Sequence, residues 1–261
     1  MDGSSQNRVL PSFPGASHWP AAVNYMESLD AVVACGGHDL ADSTKCWTFN
    51  GSIWSSLPDM SQSHCMYDSP SLNLKQGWWW VAGRALMEDG LCSYDVWTSE
   101  LFKGDEWVPG PQHPDGSSTH YTCIVQLNKT HSLYAGGEST FDQTWLYDWS
   151  SQKWTESGRL NQGRRDHGCV VLDEGVLAVG GWNFEFLHSI EVYDPVQGIW
   201  IPYTARLPEN IDPSNPILFM WEGVVIGLFD GEDKVYRCCV GSYQQTPSQK
   251  LTSFVCGALT K

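Results

Sequence analysis

The chain repeats itself, and that repeat limits the possible folds more tightly than any other feature. The best-preserved copy runs Asp166-His-Gly-Cys-Val-Val-Leu-Asp-Glu-Gly-Val-Leu-Ala-Val-Gly-Gly181, then Ser189-Ile-Glu-Val-Tyr-Asp194, then Trp200. Two apolar runs of strand length flank an acidic Gly turn, the second closes on a Gly pair, and a third ends in Tyr-Asp. Gly pairs or their equivalents recur at Gly36-Gly37, Ala82-Gly83, Gly136-Gly137, Gly180-Gly181 and a degenerate Leu228-Phe229, at spacings of 46, 54, 44 and 48 residues. The aromatic marks Phe49, Tyr94, Tyr147, Tyr193 and Tyr236 follow the pairs, and Trp54, Trp107, Trp154, Trp200 and Tyr243 follow those. His18, His64, His120 and His167 stand ahead of the first four pairs and read as the start of the preceding strand. Several marks keeping one order at a period of about 50 define a repeat architecture.

No stretch carries apolar residues at helical spacing over more than a turn or two, so the chain reads as all-β. The runs Ala31–Cys35 and Val176–Val179 are continuously apolar, as expected of strands covered on both faces. Gly closing such a run permits a left-handed exit, and the Tyr and Trp supply large buried areas between units. The Gly pair, the downstream Tyr and the Trp after it resemble the kelch repeat over nearly the whole chain. That resemblance implies a β-propeller of four-stranded blades, five of them visible at about 15–60, 61–112, 117–160, 164–208 and 213–250 in one domain spanning 1–261. The second copy departs from the pattern, with Trp107 thirteen positions after Tyr94, and suggests an inserted loop at 98–104. Segments 8–14 and 251–259 read as closing strands. A five-bladed ring closed by the N-terminal strand and a six-bladed parent lacking part of one blade both remain open.

Fifteen basic residues against 30 acidic ones give a net charge of −15. That charge repels phosphate backbones, so nucleic acid is excluded as the expected partner. No apolar run approaches the ~20 residues of a membrane span, which predicts no membrane insertion. The start, Met1-Asp-Gly-Ser-Ser-Gln, lacks the basic and apolar regions of a signal peptide and favours the cytoplasm if Met1 is the true start. Nine cysteines and the sequons at Asn50 and Asn128 favour instead a secreted, glycosylated chain. Cys35 and Cys46 fall on adjacent strands of one hairpin and suit a cross-strand disulfide. Cys123 and Cys169 read as inner-strand core.

In such a repeat the loops between second and third strands, with the links between blades, carry variable sequence on a rigid frame. The segment Trp182-Asn-Phe-Glu-Phe-Leu-His188 puts three aromatics into one such loop. Trp182, Phe184 and Phe186, with Arg164 and Arg165 ahead of the fourth blade and Glu138, Phe141 and Asp142 from the third, make a candidate protein-binding patch. Aromatics beside Arg are what a hot spot requires. The bland reading is that the aromatics cap the blade and Arg164-Arg165 is a structural turn. One His per blade lacks the local spacing of a metal site, so no metal and no cofactor are expected. Kelch-type oxidases similar to galactose oxidase hold copper with Tyr, His and a crosslinked Cys, and no such set stands out here. The expectation is therefore a non-catalytic module binding another protein. A secreted adhesion or glycan-binding propeller is the alternative, and a copper or iron enzyme the remote one. Kelch propellers often act beside BTB or F-box domains, neither of which is in this sequence.

Overall fold

The structure is a computed structural model that describes residues 11–15, 20, 22–37, 41–64, 71–75, 77, 79–86, 92–113, 121–138, 140–173, 175–221, 224–229, 235–240 and 254–259. For 83–86, 92–97, 221, 224, 235–240 and 254–259 it describes the backbone alone. Among the described residues every regular element is a strand, and the strands form five antiparallel four-stranded sheets, each of consecutive strands. The first sheet holds β1 Ala22–Met26, β2 Ala31–Cys35, β3 Cys46–Phe49 and β4 Trp54–Leu57. The second holds β5 Ser71–Asn73, β6 Trp79–Leu86, β7 Cys92–Phe102 and β8 Trp107–Pro109. The third holds β9 Cys123–Gln126, β10 His131–Ala135, β11 Thr144–Asp148 and β12 Lys153–Glu156; the fourth, β13 Gly168–Leu172, β14 Gly175–Val179, β15 Ile190–Asp194 and β16 Ile199–Pro202. The fifth holds β17 Ile217–Trp221, β18 Val224–Phe229, β19 Val235–Val240 and β20 Phe254–Leu259. The chain clusters into two compact units: Met1–Gln112 with the first two sheets, and His113–Lys261 with the other three.

The apolar runs have the cause expected of them. Every residue of β14 is buried. Leu177 and Val179 pack with Val225 and Phe229 of the fifth sheet, whereas Val176 and Ala178 pack with Val125 and Leu133 of the third. A strand alternates its side chains, so one covered on both faces must be apolar throughout. The aromatic marks fasten neighbouring sheets: the Trp200 indole donates to Thr144 Oγ1 at 2.8 Å, and the Tyr193 hydroxyl meets Ser157 Oγ at 2.6 Å. In the first unit the Trp107 indole donates to the Pro58 carbonyl at 2.9 Å. The Asp of Tyr-Asp closes the outer hairpin, since Asp194 Oδ1 accepts the Val196 and Gln197 N–H at 2.8 and 3.0 Å. That is an Asx turn, which Asp forms readily.

Strand register corrects four readings. Phe102 faces Trp107 as Tyr193 faces Trp200, so Phe102 rather than Tyr94 is the aromatic mark of the second sheet. Residues 98–102, expected within an inserted loop at 98–104, are strand, and the extra length lies at the far end of the long β6–β7 hairpin. The same register moves the Gly-pair position from Ala82-Gly83 to Gly83-Arg84. In the fifth sheet Val225 faces Val240 and Val240 faces Phe254, as Val176 faces Tyr193 and Tyr193 faces Trp200, so Val240 holds the place assigned to Tyr236. Where a mark has been replaced, a slip of one residue leaves no trace in the sequence, although it exchanges the faces of the strand. The histidine mark also divides. His64 gives its carbonyl to Gly37 N–H as Arg164 does to Gly137 and Pro213 to Gly181, which puts His64 in register with Arg164 and not with His167. His18, His120 and Tyr243 lie outside the described residues.

β20 is the outer strand of the fifth sheet, so 254–259 of the expected closing segment 251–259 takes that place. Residues 8–10 of the other expected closing strand lie outside the described residues. Residues 11–15 form no strand; Phe13 packs edge-on against Trp47 and Trp54 at 4.9 and 5.1 Å. Cys35 and Cys46 are bonded across β2–β3 with sulfurs 1.98 Å apart. Cys123 and Cys169, read from sequence as inner-strand core, form a second disulfide of 2.04 Å that joins β9 to β13 in the neighbouring sheet. Their separation of 46 residues, about one period, was the available signal: equivalent positions of adjacent repeats lie side by side.

Candidate functional site

The described residues gather most of the expected patch in the second unit. Gly180 and Gly181 leave β14 with φ of 69° and 97°. A Cβ on Gly181 would stand 2.5 Å from the Arg165 carbonyl, so only glycine lets these backbones meet. Arg165 and Trp182 then exchange both backbone hydrogen bonds, at 3.0 and 2.8 Å, and Trp182 bridges to Phe186. Leu187 N–H donates to the Gly181 carbonyl at 2.8 Å and its side chain is buried, which anchors the returning arm of the loop. Phe184 occupies the apex in a left-handed conformation, φ 58°, with 84% of its surface exposed, and Phe186 is 55% exposed. A left-handed phenylalanine is a strained position and therefore one the surroundings must hold.

Around this loop lies a polar and aromatic ring. Phe141 stacks on Phe184 at 6.1 Å with 12° between planes, and Trp182 meets Phe184 at 5.4 Å. The Arg165 guanidinium lies 4.3 Å from the centre of the Trp182 ring and 5.4 Å from that of Tyr121, while its Nη1 donates to Glu138 Oε1 at 2.6 Å. Its Nε is 3.5 Å from Asp166 Oδ2. A cation on a Trp face with a carboxylate at its edge fixes both side chains in one geometry. Asp166 Oδ1 is buried with no hydrogen-bond partner. Burial raises the Asp166 carboxyl to about 6, Arg165 acting against the rise and Glu138 adding to it. The charge beneath the platform therefore changes under mildly acidic conditions.

Six of the eight expected residues come together: Trp182, Phe184, Phe186, Arg165, Glu138 and Phe141. Asp142 instead faces Arg159 Nη1 at 3.1 Å on the neighbouring surface. Arg164 requires correction: it is wholly buried, and all its donors are used internally. Its Nη1 serves the Gly180 and Ser189 carbonyls at 2.8 and 3.1 Å, its Nη2 serves Ser189 Oγ and Glu191 Oε1 at 3.0 and 2.8 Å, and its Nε serves the Gln162 carbonyl at 3.3 Å. Two adjacent arginines look alike in sequence, yet alternation sends one inward and one outward. Tyr121 and Asp166 were missed. They precede their inner strands by two residues, as Asn215 does, and all three are left-handed, with φ of 61°, 54° and 47°. Asp166 N–H donates to the Tyr121 carbonyl at 3.0 Å and Asn215 N–H to the Asp166 carbonyl at 2.7 Å. That backbone chain is legible only once the register is known. Asn50 and Asn128 sit on exposed turns, each side-chain oxygen accepting backbone N–H groups just downstream. In the first, second and fifth sheets, residues 38–40, 87–91 and 230–234 between the second and third strands lie outside the described residues.

Five successive four-stranded antiparallel sheets are the blade pattern of a β-propeller. The solved structure of YjhT shares the fold, with a TM-score of 0.67 over 96% of this chain and 86% of that one at 11% identity. The Kelch motif matches residues 163–204, the span that contains the site's central loop. Kelch repeat-containing protein kel-10 of Caenorhabditis elegans is 24% identical over 201 residues, 69% of this chain and 32% of that one. A kelch repeat and BTB domain-containing protein of the same organism is 29% identical over the same shares, and human kelch-like protein 35 is 27% identical over 42% of this chain and 18% of its own length. The chain thus carries a Kelch motif and is similar to kelch-repeat proteins. It spans about a third or less of the curated relatives it matches.

Proposed function

We propose that this chain is a non-catalytic binding module that docks another protein on the Trp182–Leu187 loop. The observation that carries the reading is Phe184 at 84% exposure on a loop otherwise pinned at both ends, with Phe186 exposed beside it. A rigid, solvent-facing aromatic pair beside an ordered Arg has little ordering entropy left to lose on binding. The kelch and BTB-kelch relatives support an interaction role. The net charge of −15 favours a partner surface with basic residues around an apolar anchor. The test is affinity capture from the native source with quantitative mass spectrometry. A partner should be retained by wild type and by Val196→Asp, which alters a residue 92% exposed in a turn of the same unit, and lost by Phe184→Ala/Phe186→Ala. Equal capture by the double variant refutes the site.

A second reading, a secreted adhesion or glycan-binding propeller, draws on the disulfides Cys35–Cys46 and Cys123–Cys169 and on the exposed sequons. Non-reducing peptide mapping of natively produced protein decides it. Free thiols at these four cysteines and bare Asn50 and Asn128 end that reading.

A further inference from the structure

Three potential ligand groups meet where the third and fourth sheets adjoin. Cys123 opens β9, Cys169 is the second residue of β13, and His167 directly precedes β13. One ligand atom from each lies within 4.8 Å of the other two. His167 is buried, and neither ring nitrogen has a hydrogen-bond partner. An unpaired buried imidazole is costly, because a polar atom has left water and gained nothing in exchange. The ring nevertheless has a prepared seat. A Cβ on Gly136 would stand 2.7 Å from His167 Cε1, and a Cβ on Gly181 would stand 2.8 Å from His167 Cβ, so the two glycine pairs leave the space the side chain occupies.

We propose that Cys123, Cys169 and His167 form a site for a thiophilic closed-shell cation, Zn2+ in the first instance, which the Cys123–Cys169 disulfide masks and reduction opens. Two thiolates and one imidazole are a ligand set that Zn2+ takes with one position left open, and soft sulfur ligands reject Mg2+ and Ca2+. In tetrahedral geometry with Zn–S of about 2.3 Å the sulfurs stand about 3.8 Å apart, so the opened pair separates by less than 2 Å. The two thiolate charges balance those of the ion, so the buried site is neutral overall. The chemistry proceeds in two steps. A dithiol reductant gives two electrons and two protons to the disulfide, becoming a disulfide itself and leaving two thiols. Zn2+ then displaces the two thiol protons to solvent and forms two Zn–S bonds. His167 supplies a lone pair and exchanges no proton in that second step.

The test is zinc stoichiometry of the whole chain. Protein is reduced with a phosphine under nitrogen, exposed to Zn2+, desalted and analysed by mass spectrometry for metal, with unreduced protein alongside. The expected result is one more Zn2+ per chain in reduced than in oxidised wild type. That ion should be retained in Cys35→Ser/Cys46→Ser, lost in Cys123→Ser/Cys169→Ser, and bound at least tenfold more weakly in His167→Ala. No additional zinc on reduction, or zinc uptake indifferent to His167, overturns the proposal. Should the Cys123→Ser/Cys169→Ser chain fail to fold, Co2+ added to reduced Cys35→Ser/Cys46→Ser protein reads the same site. A near-ultraviolet thiolate-to-cobalt band that vanishes with His167→Ala supports the assignment. No band, or one unchanged by that substitution, overturns it.

Discussion

One crossing between sheets is built twice, once in each compact unit, with different cations. In the first unit Glu100 accepts the Ser61 N–H on Oε1 at 3.1 Å and the Gln62 N–H on Oε2 at 3.0 Å, and His64 Nε2 stands 3.4 Å from that same Oε2. In the second Glu191 accepts the Asn161 and Gln162 N–H at 2.8 and 3.0 Å, with Arg164 Nη2 at 2.8 Å. Even the flanking hydroxyl corresponds: Thr98 Oγ1 meets His64 Nδ1 at 3.2 Å where Ser189 Oγ meets Arg164. At both crossings a buried carboxylate ties down two backbone N–H groups of the incoming link, while the cation beside it differs. Arginine offers a planar fork whose donors are all used here, whereas histidine has two ring nitrogens and a less aligned contact. Burial pulls the Arg164 guanidinium below its ordinary value and Glu191 pushes it back up. The second crossing is thus more fully satisfied and depends more on its partner.

The largest test of that contrast is Arg164→Met. It strands the Glu191 carboxylate in the interior, which costs about 3–5 kcal/mol when one member of a buried pair is removed. Urea denaturation should show the full loss, and Arg164→Met/Glu191→Gln should recover a part of it. His64→Ala at the equivalent place should cost about 1–3 kcal/mol, the range for leaving one buried group short of a partner. Equal losses at the two sites would break the comparison.

Within the second unit the contrast sharpens two residues further on. Glu191 is surrounded by donors, whereas Asp166 has a buried oxygen without one. The Asp166 carboxyl rises from 3.8 to about 6 on folding. Between those values the unfolded chain has released its proton and the folded chain has not. The folding stability associated with this group is therefore complete below pH 3.8 and lost as pH rises through about 6. A rise of about two units corresponds to about 3 kcal/mol. Asp166→Asn, which keeps the left-handed backbone accessible, should stabilise the protein by up to that amount above pH 7 and by little below pH 4. A pH-independent difference would show that the carboxyl is not held up.

How much of this was legible follows from where the repeat keeps its marks. The sheets, their number and the interlocking Tyr and Trp could be read because β14 is covered on both faces and Tyr193 and Trp200 fasten it to its neighbour. The aromatic loop could be read because three large apolar residues in a polar loop have no place in a blade. The carboxylates Glu100 and Glu191 could not. Each lies within an aromatic strand, and the cation that explains it is 36 and 27 residues away in sequence. Tyr121 and Asp166 were hidden for the same reason, since a contact between repeats is invisible until register aligns them. Arg164 and Arg165 differ by one step of alternation, which sequence alone does not phase.

The acid limb gives a smaller effect confined to the first crossing. Burial raises the Glu100 carboxyl, but the adjacent His64 ring and the hydrogen bonds from Ser61 and the Gln62 backbone outweigh it and hold the group below its ordinary 4.5. A depressed carboxyl contributes stability above its unfolded value and loses it as pH falls through the folded one. Glu100→Gln should accordingly flatten the decline in stability below pH 4.5 while weakening the protein near neutrality. A decline unchanged in slope would assign acid sensitivity elsewhere.

The smallest effect on stability belongs to the exposed loop, where the logic of the crossings is reversed. Arg164 and Glu191 are wholly or almost wholly enclosed, so their removal is felt by folding. Phe184 and Phe186 keep 84% and 55% of their surface in water, and truncating either removes little that folding had buried. Phe184→Ala and Phe186→Ala should each shift stability by no more than about 0.5 kcal/mol, the range for surface positions. Trp182→Ala should cost more than either, because Arg165 lies over its ring at 4.3 Å and loses that support. Thermal melts of the three variants measure the ordering directly. If Phe184→Ala proves as damaging as Trp182→Ala, the apex is a structural cap held by its stacking on Phe141, and its exposure is no argument for a docking surface.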